Sequence, residues 1–202
     1  MGFFDRNRKA LADRGYDPDR LPPGQYFTER FPVLHAGDVP SYPDLETWDL
    51  RLFGLVERDV RLSWDELLAL PSASVTRDIH CVTKWSKFDT VWEGVRVADL
   101  LALAGPVPQA THVLAHAEHG YTANVPLADL EDALVAYRFA GEPLAPEHGY
   151  PARLLVPSLY FWKSAKWLRG LELLGTDVPG FWERNGYHND GDPWREQRYW
   201  GD

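Results

Sequence analysis

One cysteine, Cys81, stands in the run HCVTKWSKFDTVWEG, with a histidine before it and Lys84, Trp85, Lys87 and Trp92 after it. A thiolate attacks electrophiles or binds soft metals, and nearby lysines favour that form over the thiol. A lone cysteine on an alternating strand also serves as a small buried hydrophobe. A thiol hydrolase would need a general base with an orienting partner, and no His/Asn spacing announces one. A single thiolate completing a cofactor-held soft metal needs no second cysteine.

The second chemical signal is a basic island. The chain has five lysines, and two of them, Lys163 and Lys166, join Arg153 and Arg169 between His148 and Leu171, where no acidic residue occurs. The 202-residue chain carries a net charge of −9, so such an island is a candidate anion site. A solvated basic face is the alternative reading. His112, His116 and His119 invite a zinc reading, but the spacing names no outer shell, and surface histidines account for them.

The elements that must position these residues are short and irregularly mixed. Alternation predicts strands over 47–56 and 74–82, the latter placing Val75, Ile79 and Cys81 on one face. Ser63-Trp-Asp-Glu66 is a capping box opening a short helix that Pro71 ends. Helices are expected over 95–104 and 127–136, and strands over 112–117, 137–140, 153–156 and 168–174. This pattern predicts a mixed α+β fold rather than regular βαβ units. Residues 1–29 read as an extended N-terminal segment, 30–175 as the functional domain, and 176–202 as an aromatic tail packed on it.

An acidic chain is a poor nucleic-acid binder, because that binding runs on phosphate neutralisation by Lys and Arg. No apolar run reaches the length of a membrane span. The charged N-terminus, MGFFDRNRKALADRG, shows no secretory signal, so a cytoplasmic protein is expected.

Three stretches give the chain a family resemblance. They are RFPVLHAGDVPSYPDLETWDLRLFGLV (30–56), HCVTKWSKFDTVWEGVRVADLL (80–101) and GEPLAPEHGYPARLLVPSLYFWKSAKWLRGLEL (141–173). In this order they resemble the molybdopterin-binding domain of the sulfite oxidase family, and the C-V-x-x-W run is closer to its bacterial methionine sulfoxide reductase branch. The resemblance implies a single-domain, mixed-sheet fold in which Cys81 is the one protein ligand of molybdenum. It implies that His35 and His148 contact the pterin, and that Arg153, Lys163, Ser164 and Lys166 surround its phosphate. Trp85, Trp92, Tyr160 and Trp162 are then expected to line the substrate pocket.

In sulfite oxidases proper, an arginine lies two residues before the pterin-contacting histidine and another four residues after the metal cysteine. Here those positions are Val33 and Trp85, and the polar contact that the sulfoxide reductases use falls on Ala117. The implied activity is oxygen-atom transfer between molybdenum and a small molecule, of sulfoxide or N-oxide type rather than sulfite. The chain shows no haem or flavin motif, so electrons would pass to or from a separate redox partner. Two other classes stay open on the sequence: an enzyme using Cys81 as nucleophile, and a non-catalytic binding module that kept the fold.

Overall fold

A computed structural model of the chain describes residues 2–34 and 36–202. In chain order the elements are α1 (Phe3–Asp13), β1 (Tyr26–Phe27), β2 (Asp49–Gly54), β3 (Val60–Ser63), α2 (Trp64–Leu68), β4 (Ser72–His80) and β5 (Trp85–Arg96). There follow α3 (Val97–Ala104), β6 (His112–Ala117), β7 (Thr122–Pro126), β8 (Leu134–Phe139), β9 (Glu142–Pro143), β10 (Arg153–Leu155), β11 (Leu168–Leu174) and α4 (Phe181–Arg184). The strands form two mixed sheets, as the α+β reading expects.

One sheet has five strands in the order β3-β2-β11-β6-β7, with β2 and β11 parallel. The other has six strands and is organised by the long strand β5. Along one edge β5 pairs antiparallel with β4; on the other it meets β1 near Trp85 and β8 near Val95. The main core lies between the sheets, where Leu50, Leu52, Val113 and Leu171 meet Val95, Val135 and Leu154. The opposite face of the six-stranded sheet buries a second cluster that includes Val75, Ile79, Cys81, Trp85, Leu134, Ala136 and Leu155. Neighbouring residues of β8 and β10 therefore point into different cores, the period-two geometry of a strand buried on both sides.

That double burial corrects the helix expected over 127–136. Residues Leu127–Leu130 form a short 3-10 turn, and Leu134–Phe139 is strand β8. With Leu134, Val135, Ala136 and Tyr137 all buried, no polar face marks the strand, and its apolar run reads like a helix. The N-terminal segment is likewise corrected: α1 is a helix, with Leu11 packed against Leu21 and Phe88. The capping box forms as read. Ser63 Oγ accepts from Glu66 N–H, and Glu66 accepts from Ser63 N–H at 2.8 Å. Among the described residues no helix is long and apolar enough to cross a membrane.

Candidate functional site

Cys81 sits at the tip of the β4–β5 hairpin, one residue beyond the strand in which the sequence reading placed it. Its N–H donates to Trp85 O at 2.8 Å, and its carbonyl accepts from Lys84 N–H at 2.9 Å. Lys84 closes the turn with φ of 77°. Both ends of the chain fix this turn. Gln25 Nε2 donates to the Cys81 carbonyl, and the Arg198 guanidinium donates to the Val82 carbonyl, each at 3.0 Å. A tip held from two sides presents its thiol in one direction.

That direction is a cavity of about 310 Å³. Its walls come from Phe31, Pro32, Leu34 and Ala36, the Cys81 turn, Phe161, Trp162 and the stretch 164–167, and the C-terminal tail. Of the predicted site residues, Cys81, Trp85, His148, Arg153, Trp162, Ser164 and Lys166 all line it. Residues distant in sequence meet here: Lys166 Nζ donates to the carbonyls of Leu34 and Glu147, each at 2.7 Å.

Three predicted residues lie elsewhere. Trp92 is fully buried beneath the cavity wall, against Phe31 and Phe139, with its indole N–H donated to Thr90 at 2.8 Å. Tyr160 lies behind Trp162, stacked on it with ring centroids 5.4 Å apart. Lys163 is wholly buried, its ammonium 2.7 Å from Glu183 and bonded to Asn124 Oδ1 and the Asn189 carbonyl. Its charge is consumed inside the protein, so Lys163 is not part of the cavity. His35 falls outside the described residues.

The electrostatics of the cavity are one-sided. Arg153 is 1% exposed, and among the described residues its guanidinium is hydrogen-bonded to backbone carbonyls and to no carboxylate. It donates to the carbonyls of Ser164 at 2.6 Å and His148 at 2.9 Å, and lies 4.2 Å from the Phe161 ring centroid. Burial pushes its pKa down to about 9. Lys166 is pushed down to about 7 by burial and by the neighbouring Arg153 charge. No aspartate or glutamate is among the residues lining the cavity. His148 stacks on Phe31 at 3.9 Å, and burial with the two cations pushes it down to about 4. It is neutral at physiological pH.

Burial pushes the Cys81 thiol up, opposed by a 3.1 Å contact with Thr83 Oγ1 and by the charges of Arg198 and Lys166. The sequence neighbours expected to favour the thiolate do something else. Lys84 lies over Phe4, and Lys87 donates to the Glu29 carbonyl at 2.6 Å. No histidine or asparagine touches Sγ among the described residues.

Several wall residues were not singled out from the sequence. Trp182 and Tyr187 close the cavity from the tail, stacked with centroids 4.8 Å apart. Tyr121 joins them and donates to the Trp162 carbonyl at 2.6 Å. For Trp182 and Tyr187 the one available signal was the aromatic density of the tail, which names no particular ring. The histidines also find ordinary roles: His116 pairs with Glu172 at 2.8 Å, and no metal-ligating cluster of three or more His, Cys, Asp or Glu exists among the described residues.

Comparison with known proteins places this arrangement. Over 182 residues the chain is 53% identical to the uncharacterized oxidoreductase YuiH of Bacillus subtilis, covering 89% of this chain and 92% of that one. It is 32% identical to the protein-methionine-sulfoxide reductase catalytic subunit MsrP of Gluconobacter oxydans, over 68% of this chain and 50% of that one. With the sulfite oxidase of Arabidopsis thaliana it shares 28% identity, over 75% of this chain and 48% of that one. It thus spans nearly all of the Bacillus protein and about half of the other two. The crystal structure of the sulfane dehydrogenase SoxCD from Paracoccus pantotrophus shares the fold, with a TM-score of 0.68 at 23% identity over 84% of this chain and 48% of that one. Residues 36–182 match the oxidoreductase molybdopterin binding domain, and the chain belongs to that family.

Proposed function

We propose that the cavity holds molybdopterin, with Cys81 as the protein ligand of molybdenum. The activity we infer is transfer of an oxygen atom between the metal and a small uncharged molecule of sulfoxide or N-oxide type. The observation that carries this reading is the convergence of one thiol, the buried Arg153 and the half-buried Lys166 on a cavity lined by no carboxylate among the described residues. A buried cation without a counter-charge costs several kcal/mol, so such a pocket favours an anionic occupant.

The donor set fits the cofactor. Lys166 spends two of its three N–H bonds on carbonyls. Ser164 Oγ accepts from Val156 N–H at 2.9 Å, while its own proton has no acceptor among the described residues. Trp85 Nε1 is buried without a partner among them. These are donors awaiting acceptors, as a phosphate-bearing heterocycle would provide. At the cysteine a soft sulfur suits a soft metal centre.

When bound, the cofactor supplies the two-electron oxygen chemistry, and the protein supplies binding, orientation and electrostatics. Arg153, Lys166 and Ser164 hold the phosphate. Phe31, Trp85, Phe161 and Trp162 exclude water and enclose a flat ring system. The Cys81 turn, pinned by Gln25 and Arg198, fixes the thiolate with little room to move. Trp85 offers an apolar wall at a position where the sulfite oxidases carry an arginine, which supports an uncharged substrate over an oxyanion. A Cys81-nucleophile enzyme is disfavoured, because burial raises the thiol and no base touches it.

Metal and pterin content test the assignment. Protein purified from a host that makes the cofactor should contain molybdenum and release a fluorescent oxidised pterin. Folded protein with neither overturns the reading. Loaded protein should oxidise reduced viologen dyes with sulfoxides or N-oxides. A loaded protein inert in both directions of oxygen transfer would be the non-catalytic module.

A further inference from the structure

We propose that a second cleft, on the other side of strand β4, is the docking site for a one-electron carrier protein with a basic contact surface. His80 and Trp194 would be the electron route between that carrier and the Cys81 site. The inference rests on Cys81 being the metal ligand.

The cleft encloses about 620 Å³ and is lined by Asp17, Asp19, Asp78, Asp89 and Asp132 against Arg20 and Arg77. Arg20 is spent on Asp78 and Asp89, with contacts of 2.6 Å to each, and Arg77 lies 3.2 Å from Asp132. Five carboxylates against two guanidiniums leave the cleft negative, opposite in sign to the cofactor cavity.

His80 lies at its floor. The residue is 4% exposed and lines the cleft, while its neighbour Cys81 lines the cavity. At the point where β4 ends and the hairpin turn begins, consecutive side chains thus face two different sites. His80 Nδ1 bonds Ser86 Oγ at 2.8 Å, and Nε2 has no hydrogen-bond partner among the described residues. The Trp194 ring meets the imidazole edge-on with centroids 6.2 Å apart, and Trp194 is 51% exposed at the rim. From the thiol, one peptide leads to a buried imidazole and one ring contact leads to a solvent-facing indole.

The occupant follows from charge and chemistry. The oxygen transfer of the proposed function moves two electrons, and a carrier protein docked at the cleft would pass them one at a time. With a sulfoxide or N-oxide as oxidant, two reduced carriers dock in turn and each gives one electron; the substrate's S–O or N–O bond breaks and its oxygen leaves with two protons as water. The same route runs in reverse when the reduced protein meets an oxidised carrier. A basic carrier surface complements the aspartates and gains association rate from them. The cleft shares no lining residue with the cofactor cavity, so carrier and substrate bind at different sites.

The probe is a basic c-type cytochrome, titrated calorimetrically into the full-length protein, both loaded and free of cofactor. Exchanging Asp19 and Asp132 for lysine should weaken binding about tenfold or more at low salt, mainly by slowing association. In stopped flow, the reduced loaded Trp194→Ala variant should transfer electrons to saturating cytochrome several-fold more slowly than wild type. Trp194→Phe should recover much of that rate, and oxidation by ferricyanide should be unchanged in both. Unaltered cytochrome affinity in the lysine variant, or unaltered transfer in Trp194→Ala, overturns the proposal. Failure of the cofactor assignment is separate: it appears as missing molybdenum, whereas the binding arm is read without cofactor.

Discussion

Lys163 and Lys166, three residues apart in the chain, meet opposite surroundings. Lys163 Nζ lies 2.7 Å from the Glu183 carboxylate in the protein interior. Lys166 Nζ faces the cavity and, among the described residues, has the carbonyls of Leu34 and Glu147 as its acceptors. One charge is neutralised by the fold, and the other is left for a ligand.

Opposite phenotypes are therefore expected. Lys166→Ala removes a charge-assisted bond worth about 1.5–3 kcal/mol, so cofactor retention should fall roughly tenfold or more while the fold persists. Lys163→Met strands Glu183 in the interior and should cost about 3–5 kcal/mol of stability. Pterin content per folded chain and chemical denaturation, measured on both variants, check the pair. Wild-type pterin content in Lys166→Ala would remove Lys166 from the phosphate site.

Cys81→Ser exchanges a soft ligand for a hard, weakly acidic hydroxyl. Oxygen transfer should vanish while pterin, clasped through its phosphate, largely remains. Alkylation gives an independent reading. Iodoacetamide should modify the metal-free protein and leave the loaded one untouched; rapid modification of loaded protein would count against the metal–thiolate bond.

The cavity cations and His148 set a pH dependence for the ligand-free protein. His148 ionises at about 4 when folded against 6.5 ordinarily, so the unfolded chain takes up its proton first. Stability should fall as pH drops from about 6.5 towards 4. Lys166 titrates at about 7 against 10.5 ordinarily, so stability should rise as pH climbs between those values, and Lys166→Met should flatten that rise. Inorganic phosphate restores the ammonium form, so its binding above pH 7 should take up protons. Calorimetry in buffers of different ionisation heat measures this, and proton release would refute it.

Gly94 tests the sheet that carries the site. At the β5–β8 irregularity its Cα packs against the neighbouring backbone, and an added Cβ would meet the Val135 carbonyl oxygen and lie 2.7 Å from Ala136 Cα. Gly94→Ala should cost about 1–3 kcal/mol, because backbone cannot give way as a side-chain end does. A denaturation midpoint equal to wild type would show that the strands separate freely there.

The sequence by itself determined the family. It held one cysteine, a basic island free of carboxylates, and three stretches in the order of a family, and seven of the predicted site residues converge on one cavity. Local rules also sufficed for the Ser63–Glu66 cap, whose contacts lie within three residues, and for strand β6, whose apolar run is short enough to read as a strand. They failed at β8, because a strand buried on both faces carries no polar alternation to distinguish it from a helix. They failed again at Lys163, Trp92 and Tyr160, whose residue types suit a site but whose directions depend on packing. Only the tertiary structure decided that Glu183, twenty residues downstream, neutralises Lys163, and that Tyr187 and Trp182 close the wall around Cys81. Those pairings are set by how the two sheets and the tail pack together, a long-range fact that no local pattern of residues encodes.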